Sequence, residues 1–270
     1  MAKVLEISES GYYKWIHRLE GPSTRKDLED MALIKEITEL FRASRGSFGI
    51  RQVTRRLNEK SHKPVNHKRV ERLMREHGLF SKVGRKFIAT TDSEHDQPIA
   101  DNLLGRDFTA SMPNEKMVSD TTVIRSRQGR LYVAGIMDLY GRVIVGMAMS
   151  RKNDKYLVID ALEDMLSRGC GAEGCFIHSD RGSTYCSEEY RKLLSKNGLL
   201  CSMSRKGDCW DNAPMESFWG KMKNEWLKPM YNTIAEAKRD VYEYVWSFYP
   251  YERPHSSNDN MTPIRYYCQG

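Results

Sequence analysis

Between residues 8 and 80 the apolar side chains recur at three- and four-residue intervals, and between residues 116 and 149 they change to alternation and short continuous runs. The first pattern predicts helices and the second predicts strands. Ser8 or Ser10 can cap a helix over 8–20 with Tyr12, Tyr13, Trp15, Ile16 and Leu19 on its apolar face, and Gly21-Pro22 ends it. This segment reads as the tail of a helical unit. A longer helix over 26–43 sets Met31, Ile34, Ile37, Leu40 and Phe41 near a 3.6-residue period and breaks at Ser44-Arg45-Gly46-Ser47-Phe48-Gly49. A third helix over 50–58 carries Ile50, Val53 and Leu57 on one face. After the short link Ser61-His62-Lys63-Pro64-Val65, Asn66 caps a fourth helix that Gly78 stops.

A polar connector over 81–114, punctuated by Gly84, Asp92-Ser93-Glu94-His95-Asp96 and Pro98, predicts a domain boundary near 95–110. Beyond it, 116–124, 131–139 and 142–149 read as three strands. Gly129 and Tyr140-Gly141 supply hairpin turns, so these strands run antiparallel. A helix over 156–167, a glycine-rich turn at 169–174 and a short strand over 175–179 follow. A helix over 188–197, a strand over 199–203 and a long helix over 214–226 complete the pattern. The order describes one mixed α/β sheet with helical cover, behind a helical N-terminal part. The domains expected are a partial helical segment 1–25, a helical unit 26–90, a linker 91–107, an α/β core 108–228 and a C-terminal helical extension 229–270.

Composition narrows this further. A chain of 270 residues with 40% hydrophobic and 10% aromatic side chains can bury a core, which excludes disordered, collagen-like and rod-like chains. No apolar run approaches the roughly 18 residues of a membrane span. The N-terminal residues do not form a signal peptide pattern. The six cysteines include no C-x-x-C pair and read as reduced, buried thiols of a cytosolic protein. The seven histidines show no His/Cys zinc spacing.

Charge is distributed unevenly. Residues 1–90 carry 20 Lys and Arg against 11 Asp and Glu, whereas the remainder carries 23 against 25. A basic first third on a near-neutral remainder points to a nucleic-acid-binding arm. The fourth helix places Val70, Leu73 and Met74 on one side and Lys68, Arg69, Arg72 and Arg75 mostly on the other. Two short helices with a tight link, the second cationic outside, form a helix-turn-helix layout that can set side chains against DNA bases and phosphates. The competing reading is a small helical bundle with a solvated charged face.

Three carboxylates stand at chemically interesting places. Asp120 sits inside the first strand, Asp180 just past the fourth, and Glu216 in the first turn of the last long helix, with 59 and 35 residues between successive members. Converging on one sheet edge, they would form an oxygen-ligand site for Mg²⁺, where two ions can clamp the attacking and leaving oxygens of a phosphodiester displacement. Taken singly, each is also a common cap or turn residue, and Asp138 and Asp211 are nearby rivals.

At this point the residues carry a resemblance. The chain resembles, nearly end to end, the second-frame (OrfB) transposases of bacterial insertion sequences, within the DDE transposase and retroviral-integrase superfamily. Arg45-Gly46-Ser47-Phe48-Gly49-Ile50-Arg51 and Asn66-His67-Lys68-Arg69-Val70 match its helix-turn-helix segment. His178-Ser179-Asp180-Arg181-Gly182-Ser183 matches its second-Asp motif, and Asp211-Asn212-Ala213-Pro214-Met215-Glu216-Ser217-Phe218 the block around its catalytic Glu. Arg253-Pro254-His255-Ser256 and Thr262-Pro263 match its C-terminal signature. The resemblance implies an RNase H-like, integrase-like core with Asp120, Asp180 and Glu216 on Mg²⁺ or Mn²⁺. It also implies that Lys223, seven residues past Glu216, stands beside DNA phosphate.

Further implications are cleavage and strand transfer at the terminal inverted repeats of an element, action as a homo-oligomer on double-stranded DNA, and a bacterial, nucleoid-associated cytoplasmic setting. The family's upstream frame (OrfA) supplies a DNA-binding domain and an oligomerisation helix, and the resemblance implies its product as a further partner. Departures from the pattern are Thr184, Pro250 and Met117, where Gln, Asn and Trp are usual, and none removes a carboxylate. Arg205 and Lys206, in the loop before the Glu216 helix, are further candidate DNA contacts, and His178 reads as structural. The late aromatics, Trp226 to Tyr251, read as core. Rival functions are a catalytically silent DNA-binding regulator and a structure-specific nuclease on the same fold.

Overall fold

The computed structural model describes residues 8–20, 24–60, 63–82, 99–205 and 209–269. The chain divides into two compact units, Met1–Ser81 and Lys82–Gly270.

The first unit contains α1 (Glu9–Glu20), α2 (Arg25–Ala43), α3 (Ile50–Lys60) and α4 (His67–Glu76). Thr24 and Asp27 close a capping box at the start of α2: the Asp27 N–H donates to Thr24 Oγ1 at 3.3 Å and the Thr24 N–H to Asp27 Oδ2 at 2.9 Å. Leu33 and Ile37 of α2, Phe48 in the turn before α3, Val53 and Leu57 of α3, and Val70, Leu73 and Met74 of α4 are buried. The apolar stripe of α2 therefore differs from the sequence expectation. Leu33 joins Ile37 inside, while Met31 is 64% exposed, because α3 and α4 cover only one narrow side of this helix. Asn58 clasps the link between α3 and α4 by both groups of its amide, donating to Val65 O at 3.2 Å and accepting from Val65 N at 2.7 Å. Asn66 Oδ1 accepts from the Lys68 N–H at 2.9 Å, as a cap should, and Gly78 ends the segment at φ +66°.

The second unit is built on a five-stranded sheet in the order β3-β2-β1-β4-β5. Its strands are β1 (Lys116–Ser126), β2 (Gly129–Asp138), β3 (Val143–Ser150), β4 (Phe176–Ser179) and β5 (Leu200–Met203). The first three form the expected antiparallel meander, and β4 and β5 add in parallel to β1. α5 (Lys155–Ser167) and α6 (Glu188–Lys196) cover one face with Leu157, Val158, Ala161, Leu162, Met165, Tyr190 and Leu194 against Met117, Ile136 and Ile177. Gly146 lets α5 approach β3: a Cβ there would lie 2.5 Å from the Ala161 carbonyl oxygen.

The other face is covered by α7 (Ala213–Lys221), α8 (Ile234–Glu243) and an aromatic layer from the C-terminal segment. Phe218, Trp226, Tyr244, Phe248 and Tyr249 are buried there, with Trp226 and Phe248 stacked at 4.4 Å. The long helix expected over 214–226 is α7 followed by a π-helical turn over Met222–Trp226. Two short helices, α9 (Tyr249–Tyr251) and α10 (Pro263–Tyr267), end the chain.

Part of the expected linker 91–107 is tied into this unit. The Met203 N–H donates to Asp101 O at 3.2 Å, the Leu103 N–H to Ser202 Oγ at 2.9 Å, and Leu104 is buried. These donors complete the edge of β5, which hydrophobic patterning could not register. Residues 83–98 lie outside the described residues.

Candidate active site

Asp120 lies midway along β1, across from Gly135 of β2. On its other side β1 pairs in parallel with β4, Met117 with Ile177 and Val118 with His178. Two residues further along each chain stand Asp120, still in β1, and Asp180, just past the end of β4. The pairing of Val118 with His178 is the last of this ladder, and it brings Asp180 near enough for its charge to act on Asp120.

Gly135 identifies the face of the sheet that Asp120 occupies. A Cβ on it would lie 3.0 Å from Trp219 Cη2, 3.1 Å from Trp219 Cζ2 and 3.3 Å from Met215 Cε. Residues directly opposite on an antiparallel pair share a face, so α7 lies over the face that carries Asp120. Glu216 follows Met215 in the first turn of α7 and is exposed. Lys223, two turns on, is half-buried.

Electrostatics joins these groups. Burial first, then the charges of Asp180 and Glu216, push the Asp120 carboxyl well above the usual carboxylate range, while Lys223 opposes them. Partial covering of its side chain also raises Glu216, deeper burial lowers Lys223, and Asp120 partly restores the lysine's charge. Among the described residues, no three His, Cys, Asp or Glu side chains are gathered closely enough to grip one ion. The three carboxylates are therefore neighbours across strand and helix rather than a preformed cage. As hard oxygen donors, two of which raise the proton affinity of the third, Asp120, they suit a divalent cation such as Mg²⁺ or Mn²⁺.

The surrounding residues hold this geometry. Asp180 Oδ1 accepts from the Gly182 N–H at 2.9 Å, and a Cβ at Gly182 would lie 3.0 Å from that oxygen. Asn212, immediately before α7, donates from Nδ2 to the Ser119 carbonyl at 2.9 Å. His178 is buried between Ser202 Oγ at 2.8 Å from Nδ1 and Ser204 Oγ at 3.1 Å from Nε2, and burial lowers it to about 4. It pins β4 to β5 and carries no charge at neutral pH.

The rival carboxylates are both fully engaged elsewhere. Asp211 receives Arg106 Nε at 2.8 Å, Asn102 Nδ2 at 3.0 Å, and the Arg205 N–H and NH2 at 2.9 and 3.1 Å. Burial alone would raise its carboxyl, but Arg205 and Arg106 hold it below the usual range. Asp138 receives the N–H groups of Asn114 and Tyr140 at 2.7 and 2.8 Å and the Tyr267 hydroxyl at 3.2 Å. Sequence reasoning missed this bracing by Asn102 and Arg106, whose only signal was two polar side chains in an apparent connector.

The cationic helix α4 sorts into two pairs. Lys68 and Arg75 are exposed. Arg69 and Arg72 reach back to Asp30 of α2, with Arg69 Nε at 2.6 Å from Oδ1 and Arg72 NH2 at 2.5 Å from Oδ2. Their guanidinium groups thus tie α4 to α2. Arg205 braces Asp211, and Lys206 lies outside the described residues.

Comparison with known proteins agrees with this architecture. An HTH-like domain family matches residues 28–87, and integrase core domain families match residues 110–209 and 197–263. A 31 kDa protein of insertion element IS600 from Shigella sonnei is 41% identical over 267 residues, covering 98% of this chain and 97% of its own. The transposase InsF for insertion sequence IS3A from Escherichia coli (strain K12) is 34% identical over 267 residues, covering 98% and 92%. The HTLV-2 integrase catalytic core domain, solved in complex with magnesium, is 13% identical with a TM-score of 0.45, over 58% of this chain and 98% of that one. With both domains matched in order and kinship running nearly end to end, the chain belongs to the family of insertion-sequence transposases that includes InsF.

Proposed function

We propose that this protein is a DDE transposase that cleaves DNA strands at the ends of an insertion sequence and joins them to target DNA. Asp120, Asp180 and Glu216 are its metal-binding carboxylates, and Mg²⁺ or Mn²⁺ is the ion. The observation that supports this reading is that the charges of Asp180, just past β4, and Glu216 both act on Asp120 of β1, with the Glu216 helix laid over the face that carries Asp120.

A divalent ion held there would supply Lewis acidity toward phosphate oxygens. Asp120 and Asp180 would hold it from a rigid sheet, and Glu216 from a helix that Asn212 anchors to Ser119. Lys223 offsets the charge of Asp120 and would meet a phosphate oxygen of the DNA strand. The basic N-terminal unit binds double-stranded DNA through Lys68 and Arg75 of α4, with Arg69 and Arg72 shared between DNA and Asp30. We further propose action as a homo-oligomer on the two element ends, with an upstream-frame product as a partner. Among the described residues no helix is long and apolar enough to cross a membrane, and a DNA-directed enzyme of bacterial type belongs in the cytoplasm, at the nucleoid.

The test is a strand-cleavage assay on labelled element ends with Mg²⁺. Metal-dependent nicking at the terminal repeat, abolished by Asp180→Asn, is the expected result. Binding without cleavage would make the protein a silent regulator, and cleavage set by DNA shape without end preference would make it a structure-specific nuclease.

A further inference from the structure

The segment Arg253-Pro254-His255-Ser256 takes no part in the carboxylate site, yet its first residue holds the end of the helix that begins with Glu216. Arg253 is 7% exposed and grips Glu225 with two bonds of 2.6 Å, Nε to Oε2 and NH2 to Oε1. Its remaining nitrogen, NH1, donates to Pro254 O at 3.2 Å. Burial opposes the guanidinium charge, and Glu225 more than restores it. A planar fork on both carboxylate oxygens fixes direction as well as distance.

Glu225 stands in the π-helical turn over Met222–Trp226. The Leu227 N–H reaches back five residues to Met222 O at 3.1 Å, so this turn holds one residue more than an α-turn. Such turns are rare and occur often at functional sites, so this one calls for side chains that hold it.

The C-terminal segment supplies them. Trp226 stacks on Phe248 at 4.4 Å and lies 5.9 Å from Tyr244. Tyr244–Phe248 is itself a second π-helical turn. Phe218, two residues past Glu216, meets the Tyr249 ring edge-on at 4.7 Å. The same segment is tied to the sheet. The Tyr249 hydroxyl donates to Arg142 O at 2.9 Å and Asn258 Nδ2 to Gly141 O at 2.7 Å, both in the turn between β2 and β3. Contacts at Phe218, Glu225 and Trp226 thus fasten the Glu216 helix to that turn.

Lys223 lies two residues before Glu225, near the start of the same wide turn. Were the turn to tighten to an α-turn, the helix on its two sides would rotate against each other by one residue, about 100°. Glu216 and Lys223 would then lose their bearing on the sheet, or Glu225 and Trp226 theirs on Arg253 and Phe248. Because the fork and the stack fix one side, the wide turn fixes the other. Lys223 offsets the charge of Asp120, so its bearing matters to the carboxylate site.

We propose that Arg253 is a positioning residue, which through Glu225 holds the wide turn after α7 and so aims Lys223 at the strand that carries Asp120 and at bound DNA. The part that concerns DNA rests on the reading of Lys223 as a phosphate contact.

The experiment is a double-mutant cycle of Arg253→Lys with Lys223→Gln in the full chain. Arg253→Lys keeps the charge and loses the fork. Two quantities are measured. The midpoint of thermal unfolding in chelator senses Lys223 without DNA, and the salt dependence of binding to an element-end duplex senses it with DNA. Lys223→Gln should shift the midpoint and make the log–log slope shallower by about 0.9, the value of one phosphate contact. Arg253→Lys should flatten the slope by the same amount, and the double variant no further. In the Arg253→Lys background, the midpoint shift caused by Lys223→Gln should fall to less than half.

An Arg253→Lys protein that melts earlier, yet keeps the wild-type slope and the full Lys223→Gln shift, has lost a structural ion pair only, and overturns the proposal. A Lys223→Gln slope equal to that of the wild type removes Lys223 from the DNA, and the midpoint cycle then decides positioning alone. A shift lost in Arg253→Lys supports it, and a shift retained overturns it. Lys223→Gln moving neither quantity overturns both. Where Arg253→Lys fails to fold, Glu225→Asp, which keeps the charge and shortens the reach, takes its place with the same expected outcomes. Neither quantity reads strand cleavage, so a failure here is distinct from a failure of the catalytic reading.

Discussion

The side-chain amide of Asn212 donates to the backbone carbonyl of Ser119 at 2.9 Å, joining the start of α7 to the residue that precedes Asp120. Glu216 lies one turn beyond this bond. The distance between strand-borne and helix-borne carboxylates is therefore set by a buried hydrogen bond rather than by loop length. Asn212→Ala should cost about 1–3 kcal/mol, because a buried carbonyl loses its donor. Strand cleavage should fall further than that loss of folded protein explains. Urea denaturation and cleavage measured on the same samples check this, and an activity loss that merely tracks the folded fraction would refute a positioning role.

Gly135 admits Trp219 and Met215 against the sheet opposite Asp120. Gly135→Ala should overpack this contact, destabilise by about 1–3 kcal/mol and displace α7. Adding Trp219→Phe removes the two crowding ring atoms and should recover much of both stability and cleavage. Thermal unfolding of the single and double variants tests it. A double variant no better than Gly135→Ala would show that the strain lies elsewhere.

Asp120 bears a carboxyl that burial and the charges of Asp180 and Glu216 all disfavour. Asp120→Asn should therefore raise the midpoint of thermal unfolding measured with chelator at pH 7. The wild type should gain stability with added Mg²⁺ or Mn²⁺ by mass action, about 2.7 kcal/mol at a hundred times the dissociation constant. Asp120→Asn and Asp180→Asn should lose that gain, and cleavage should drop more than about 100-fold, beyond what disturbing a ligand's partner costs. Equal metal-induced shifts in wild type and variants would remove these residues from the metal site.

His178 and His255 are held to about 4 and about 3, burial being the largest cause in each. In the unfolded chain both protonate near 6.5. Their folded values lie below their unfolded values, so their contribution is complete above pH 6.5 and is lost as pH falls toward 4. Each can remove up to about 1.4 kcal/mol per pH unit in that window. Urea midpoints in phosphate-free buffer should decline from pH 7 to pH 5, and less steeply in His255→Gln. The same decline in both proteins would show that carboxylates alone govern acid lability.

Lys68 and Arg75 are exposed on α4, whereas Arg69 and Arg72 pair with Asp30. Lys68→Gln and Arg75→Gln should each flatten the salt dependence of DNA binding by about 0.9 in log–log slope and leave the melting temperature unchanged. Arg69→Gln and Arg72→Gln should also lower the melting temperature, because they release α4 from α2. Anisotropy titrations with calorimetry on the same variants separate the two pairs. An unchanged slope in Lys68→Gln and Arg75→Gln would place the DNA on another surface.

Much of this protein was legible in its sequence. Local rules sufficed for the caps at Asn66 and Gly78, the three-strand meander and the order of the elements, because turns, caps and periodicity are properties of neighbouring residues. The carboxylates Asp120, Asp180 and Glu216 could be named from their places at a strand, a strand end and a first helical turn.

What only the tertiary structure decided depends on pairing across long separations. The parallel pairing of β1 with β4 brings the strand end before Asp180 alongside β1, close enough for the charge of Asp180 to reach Asp120, and no local pattern specifies a register 60 residues apart. Asp211 looks as acidic as Asp180 in sequence, and only Arg106, Asn102 and Arg205 converging on it make it a brace. Arg69 and Arg72 show only their charge in the sequence, and their bonds to Asp30, some 40 residues away, exist only in the folded chain. A charge declares its sign in the sequence, but its partner is chosen by the fold, because electrostatic and hydrogen-bonding energy depends on distances that only packing sets.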